Sequence, residues 1–215
     1  MQVSLKSEEN VNAATHALGL VSSAVAATFL VWAAVTHGTA WQIGGCAIYA
    51  ATLVTAYAAS TLSHAVRTPR LNHAFRIADQ AIIFLFIGGS YTPVALTYLR
   101  GGGWWVLHGV IWGIALLGFL SKAAFTHRVE VGAVSITLYV LLGWTPVFFA
   151  PFLLRVVPGG LLLWYLAGGL AYMAGTVFFI YDNRVRYFHA AWHLMVIVGS
   201  LCHFVGILLY CTRVR

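Results

Sequence analysis

The sequence predicts an all-α polytopic membrane protein, a bundle of seven transmembrane helices that forms one domain over residues 1–215. The 215-residue chain is 61% hydrophobic and only 8% charged, a composition that soluble domains of this size do not have. It also contains seven apolar runs long enough to span a bilayer, which takes about 20 helical residues. A transmembrane β-barrel would instead show short segments of alternating polarity.

The seven runs follow one another with short connections and leave no room for a soluble insertion. Proline at 93 in the third run and at 146 in the fifth should kink or end those helices. Gly109 and Gly113, four residues apart in the fourth run, favour tight packing against a neighbouring helix, or else form a homodimer face. The predicted spans are 13–36, 40–63, 76–98, 104–122, 130–150, 160–181 and 188–211.

The basic residues predict the orientation of the bundle, because short cytoplasmic loops carry an excess of Lys and Arg. An N-in, C-out topology places eight basic residues on the cytoplasmic side (Lys6, Arg67, Arg70, Arg76, Lys122, Arg128, Arg184 and Arg186) and four on the other (Arg100, Arg155, Arg213 and Arg215). The net charge of +7 therefore orients a membrane protein and does not indicate a nucleic-acid partner. The first ten residues lack the basic region of a signal peptide, so no cleavage is expected.

The last predicted span holds three of the nine histidines. His189 and His193 are four residues apart, so they lie on one helix face and can bind one metal ion. His203 lies roughly 21 Å further along the helix axis and cannot share that site. Imidazoles in a lipid-embedded segment usually mark a site, although hydrogen bonds to neighbouring helices would also explain them.

Polar residues also occur in the first three spans. Asp79 alone among the acidic residues lies in an apolar run, as a candidate site residue or as a partner for Arg76 one turn earlier. Two further polar pairs share a helix face at a spacing of four residues, Ser60 with His64 and Asn12 with His16, and Glu9 precedes Asn12 by one turn. The acidic residues at helix ends or in loops are interpreted as solvated charges: Glu8, Glu9, Glu130 and Asp182.

The predicted topology places these polar groups at one depth, near the cytoplasmic surface. His64, His189 and His193 then supply three imidazoles, the ligand count of a catalytic zinc site whose fourth position is left to water. Zinc lowers the pKa of such a water toward about 7. Asp79 could accept a proton from this water, or orient a ligand imidazole, and Ser60 could orient the water or a substrate carbonyl.

These residues resemble the motifs of the progestin and adipoQ receptor superfamily, specifically its bacterial hemolysin III branch. Three motifs carry the resemblance: Glu-x2-Asn-x3-His at Glu9, Asn12 and His16; Ser-x3-His with an Asp in the next helix, at Ser60, His64 and Asp79; and His-x3-His at His189 and His193. Each motif alone has little specificity, but the combination is specific and the resemblance covers essentially the whole chain.

The resemblance implies a zinc ion near the cytoplasmic side of a bacterial inner (plasma) membrane. It implies that His64, His189 and His193 are the zinc ligands and that Ser60 and Asp79 flank the bound water, while the role of His16 stays open. The family is similar to alkaline ceramidases, and receptor members have been linked to ceramide hydrolysis. Bacterial relatives have been linked to membrane-fluidity and fatty-acid homeostasis, and the branch takes its name from cytolytic activity.

We therefore expect a zinc-dependent hydrolase that cleaves an amide or ester of a membrane lipid. Three alternatives remain at this point: a non-catalytic lipid sensor with structural zinc, a pore-forming cytolysin, and a haem-binding electron carrier. A pore needs a polar stripe through the full membrane depth, which the apolar outer half does not offer. Two histidines on one face of one helix suit a compact ion better than haem.

Overall fold

The computed structural model describes residues 2–101, 104–124 and 133–213 of the chain. Within these ranges the protein is helical and contains no strand, and seven stretches are long and apolar enough to cross a membrane. The predicted all-α, multi-pass architecture is thus confirmed, whereas the N-in, C-out orientation stays a prediction. Residues 130–132 at the start of the fifth predicted span, with Arg128 and Arg215, lie outside the described residues.

The first helix begins at residue 2 and the third at residue 69, eleven and seven residues before the predicted spans at 13 and 76. Their early turns are polar, so a prediction from apolar length alone omits them. Pro69 supplies a backbone already set for the first turn of its helix. The α helices are α1 (Gln2–His37), α2 (Ala40–Ala65), α3 (Pro69–Tyr98), α4 (Trp104–Ala124), α5 (Ala133–Trp144), α6 (Ala150–Val156), α7 (Gly159–Ile180) and α8 (Phe188–Cys211).

A capping box starts α2 directly after α1. The backbone N–H of Gln42 donates to Thr39 Oγ1 at 3.4 Å, and the backbone N–H of Thr39 donates to Gln42 Oε1 at 2.8 Å. The Gln42 side chain also donates to the carbonyl of Arg213 at 2.8 Å. The end of α8 is therefore tied to the start of α2, which holds α1, α2 and α8 together.

Pro93 and Pro146, the prolines expected to kink or end their helices, have different effects. Pro146 ends regular α helix: α5 stops at Trp144, a 3-10 helix follows over Thr145–Phe149, and α6 completes the fifth span. That prediction is confirmed. Helix α3, in contrast, continues through Pro93 to Tyr98. The backbone of α2 passes this proline so closely that a Cβ atom at Gly45 would lie 2.9 Å from Pro93 Cα.

The prediction that Gly109 and Gly113 pack against a neighbouring helix was wrong. A Cβ atom added at either position meets no atom of the described residues within 4 Å. Helix α4 instead meets α3 at Gly118, where an added Cβ would lie 2.5 Å from the Phe84 ring. Spacing along the chain cannot reveal how far a helix is rotated about its axis, and this rotation turns Gly109 and Gly113 away from the bundle. Their role as a homodimer face stays a prediction.

The main hydrophobic core fills one end of the bundle. It is built from the second halves of α1, α3 and α8, the middle of α2, the end of α6 and the start of α7. Its members are buried aliphatic, aromatic or thiol side chains. Among the fully buried ones are Leu30, Tyr49, Leu161, Ile207 and Cys211. The opposite ends of α1, α2, α3 and α8 carry the polar residues, so the bundle has an apolar end and a polar end.

We predict that Gly45→Ala lowers the thermal stability of the detergent-solubilised protein. The new methyl group would meet backbone of α3, which cannot move aside as a flexible side chain does, and overpacking of this kind costs about 1–3 kcal/mol. Gly109→Ala is the matched control, because the methyl group there enters open space. Equal unfolding midpoints for the two variants would contradict the close α2–α3 contact.

A candidate metal centre at the polar end of the bundle

Four histidines from three helices meet at the polar end. His16 comes from α1, His64 from the end of α2, and His189 and His193 from the start of α8. The ring centroid of His193 lies 3.6 Å from that of His16, 5.1 Å from that of His64 and 4.5 Å from that of His189. The structure thus brings together the three predicted ligands and adds His16, whose role the sequence left open.

The candidate ligand atoms of His16, His64 and His193 all lie within 4.8 Å of one another. Zinc–nitrogen distances of about 2.0–2.1 Å place tetrahedral ligand atoms about 3.3–3.4 Å apart, so small side-chain movements would close this set around an ion. The His189 ring centroid lies 5.1 Å from that of His64. His189 is half-buried, whereas the other three histidines are buried.

Carboxylates hold two of these rings. The Nδ1 atom of His64 lies 2.8 Å from Glu9 Oε2, and the Nδ1 atom of His189 lies 2.7 Å from Asp182 Oδ2. Histidines that bind metals commonly donate their second ring N–H to a carboxylate, which fixes the tautomer and leaves the other nitrogen as the ligand. Both pairs have the donor and acceptor that such an arrangement requires.

A hydroxyl group holds the third predicted ligand. The Nδ1 atom of His193 lies 3.0 Å from Thr15 Oγ1, and this hydroxyl is within 2.9 Å of the Asn12 carbonyl and 3.0 Å of the Val11 carbonyl. Since a hydroxyl has one hydrogen, which a carbonyl takes here, Thr15 accepts from His193. Each predicted ligand therefore has its Nδ1 atom engaged, and the donor set fits a zinc ion.

Asp79 lies beside the cluster with two serines of α2. Ser63 Oγ is 3.4 Å from Asp79 Oδ2, and Ser60, one turn earlier on α2, lines the same cavity as Asp79. The alternative partner suggested from the sequence, Arg76, lies instead 3.4 Å from Glu9. Asp79 thus lies beside the serines of α2 at the edge of the cluster, where it can exchange a proton with a bound water or substrate.

The interpretation of Glu9 and Asp182 as merely solvated charges was wrong, since each contacts a histidine of the cluster. Asp182 follows α7, and the chain then turns back through Tyr187, which has a left-handed conformation with φ 64°. This turn brings His189 next to Asp182. In the sequence, the spacing of seven residues across a short connection was the feature that could have indicated this pair. Glu8, nearby, pairs with Arg186 at 2.9 Å.

His203 lies apart from the cluster, among aromatic residues. Its ring stacks on Tyr165 with centroids 4.4 Å apart, and its Nε2 atom lies 3.3 Å from the Tyr165 carbonyl. One turn earlier, Ser200 donates to the Val196 carbonyl at 2.8 Å, so its oxygen accepts from Tyr57 at 3.0 Å and from Tyr172 at 3.1 Å. No pattern in the sequence predicts this buried hydroxyl network.

A cavity of about 1410 Å³ extends from the histidine cluster into the bundle. It exceeds the roughly 300–1,000 Å³ of typical small-molecule pockets. The cluster and Asp79 line one end, and apolar residues such as Phe86, Leu99 and Leu161 line the remainder. Asp79 and Leu99 are 20 residues apart along α3 and its C-terminal end, roughly 30 Å at 1.5 Å per residue, so the cavity runs through most of the bundle.

The chain matches a protein-family model described as haemolysin-III related over residues 5–204. It is 34% identical over 203 residues to hemolysin-3 of Bacillus cereus, covering 94% of this chain and 91% of the relative. It is 32% identical over 207 residues to a hemolysin-3 homolog of Bacillus subtilis, covering 96% of each. The human monocyte to macrophage differentiation factor is 29% identical over 216 residues, 96% of this chain and 85% of the relative.

A search of solved structures finds no match to the chain. The similarity therefore rests on sequence, and it extends over nearly the full length of both bacterial relatives.

We predict that Ser200→Ala destabilises the folded protein. It leaves the hydroxyl groups of Tyr57 and Tyr172 without their common acceptor, and an unsatisfied buried polar group costs about 1–3 kcal/mol. Ser121→Ala is the control, because Ser121 is exposed and bonds only the carbonyl of Gly118 three residues earlier. The thermal unfolding midpoint should fall for the first variant only, and equal midpoints would refute the network's contribution.

Proposed function

The chain belongs to the haemolysin III-related family, and from this premise we propose that it is a zinc-dependent hydrolase of a lipid amide or ester. Its activity would contribute to membrane-lipid homeostasis in a bacterial inner membrane, with the site on the cytoplasmic side. The observation that carries the proposal is the histidine cluster, with Nδ1 engaged on all three predicted ligands, at the end of a long apolar cavity.

His64, His189 and His193 would hold the zinc ion. Glu9 and Asp182 would orient two of these imidazoles, and Thr15 the third. When bound there, zinc would polarise a substrate carbonyl and make water more acidic.

Asp79 is proposed as the general base. Water adds to the carbonyl carbon, and Asp79 accepts the proton that the water loses. The bond from the carbonyl carbon to the amide nitrogen or ester oxygen then breaks, and the proton passes from Asp79 to this leaving group. Ser60, which is buried and lines the same cavity as Asp79, would orient the water or the carbonyl.

The cavity suits the hydrocarbon part of such a substrate. Its wall beyond the cluster is mostly aliphatic and aromatic, including Ile83, Val94 and Leu153. An acyl chain placed in it would bring its carbonyl to the polar end, next to Asp79. This placement suits amides and esters equally. The two share the acyl chain and the carbonyl group, and they differ only in whether nitrogen or oxygen is bonded to the carbonyl carbon at the cleaved bond.

A non-catalytic lipid sensor with structural zinc is the second candidate. The fourth imidazole, that of His16, favours it, because structural zinc sites are usually closed by four protein ligands. Turnover of a lipid amide or ester by the purified zinc protein would separate the two candidates.

Asp79→Asn should retain zinc and lose hydrolysis. The amide keeps the size of the carboxylate but accepts no proton at neutral pH, and loss of a general base lowers turnover about 10²- to 10⁴-fold. The measurement is release of fatty acid from a ceramide or an ester lipid in detergent micelles, with zinc content determined on the same samples. Unchanged turnover in a variant with full zinc would show that Asp79 is not the base.

Glu9→Gln should weaken zinc binding about 10- to 100-fold, the range found when a ligand histidine loses its orienting partner. Glu8→Gln is the matched control, since the neighbouring carboxylate pairs with Arg186 and not with a histidine. Zinc affinity would be measured by competition with a chromogenic chelator. The same affinity in both variants would contradict the role assigned to the Glu9–His64 pair.

A further inference from the structure

His16 has the geometry of a metal ligand although it lies outside the set that the sequence resemblance supplies. It is buried, with 5% of its surface exposed. Its ring centroid lies 3.6 Å from that of His193 and 6.0 Å from that of His64. The trio whose ligand atoms lie within 4.8 Å of one another contains His16 in the place of His189.

His16 differs from the other three histidines of the cluster in its hydrogen bonding. Its Nδ1 atom is buried without a hydrogen-bond partner, whereas the Nδ1 atoms of His64, His189 and His193 each have one. A buried nitrogen left without a partner costs about 1–3 kcal/mol, so its presence requires an explanation. A lone pair directed at a cation would satisfy such a ring.

Among the described residues, the polar groups nearest to His16 are already engaged. The carbonyl of Asn12, one turn earlier on α1, accepts a hydrogen bond from the Thr15 hydroxyl. The neighbouring aromatic ring, that of Tyr57, donates its hydroxyl to Ser200 and packs with its centroid 5.9 Å from the His16 ring. Packing on Tyr57 alone would leave the ring nitrogen unsatisfied.

We propose that His16 supplies a fourth imidazole ligand to the zinc ion of the cluster. This inference rests on the proposed zinc site. In the resting protein the ion is then held by α1, α2 and α8 together, through His16, His64, His189 and His193. A zinc ion with four protein ligands has no open position, so hydrolysis requires that His16 leave the ion. His16 therefore controls whether a lipid can reach the metal.

Ion pairs join the first turns of α1 to neighbouring segments, and through them the position of His16 could be controlled. Glu8 pairs with Arg186 beyond the end of α7, and Glu9 pairs with Arg76 on α3 as well as with His64. These contacts hold the start of α1 over the cluster, and His16 lies two turns further along the same helix. Any movement of α1 relative to α8 would change the distance between His16 and His193.

X-ray absorption at the zinc edge tests the inference, because scattering from the outer ring atoms reports the number of imidazoles on the metal. The purified wild-type protein should show four, and His16→Ala should show three and bind zinc at least about tenfold more weakly in chelator competition. His37→Ala is the matched control: this exposed histidine lies at the far end of the same helix and should leave both values unchanged.

His16→Phe covers the case in which the alanine variant does not fold, since it keeps a ring beside Tyr57 and removes both nitrogens. Three imidazoles in the wild-type protein, with an affinity that neither His16 variant changes, would overturn the inference and leave the proposed zinc site intact. A wild-type protein without zinc would overturn both.

Discussion

Hydrogen bonding in an apolar environment is the constraint on which the polar end of the bundle depends. A bilayer interior has no water to satisfy an imidazole or a carboxylate, so each such group must find its partner within the protein or carry a large penalty. The pairs His64–Glu9 and His189–Asp182 meet this requirement, as does the contact of His193 with Thr15. Within the cluster, the Nδ1 atom of His16 is the exception because it has no hydrogen-bond partner, and a bound cation would supply a partner.

The same constraint separates the bundle into two ends. The apolar end, around Leu30, Tyr49 and Ile207, packs α1, α2 and α8 against one another mainly through buried apolar side chains. With that end fixed, the polar ends of these helices are held at a constant spacing, and the histidines they carry meet. The cavity joins the histidine cluster to a mostly apolar region between the helices. A hydrolase for lipids needs this combination, because the reacting carbonyl is polar and the rest of the substrate is not.

Much of this architecture follows from the sequence, because apolar length identifies membrane spans and a spacing of four residues places two side chains on one helix face. The alternating direction of the spans then predicts that these polar residues, His16 included, share one end of the bundle, and the structure brings His64, Asp79, His189 and His193 together there. Contacts between helices depend also on the rotation of each helix. Gly109 and Gly113 therefore face away from the bundle against expectation, and Glu9 and Asp182 contact histidines although their places at helix ends or in loops predict solvated charges. Whether the His16 ring contacts the other histidines, and how far the cavity extends, depend on the same contacts between helices, so neither could be predicted from the sequence.

The presence of the metal is the central claim, and elemental analysis of the purified protein tests it most directly. The protein would be solubilised in detergent and purified without chelators, beside the His189→Ala/His193→Ala double variant. The account predicts about one zinc ion per chain in the wild-type protein and none in the variant, because the variant loses two imidazoles of the cluster. A wild-type protein without zinc, or equal zinc in both proteins, would contradict it.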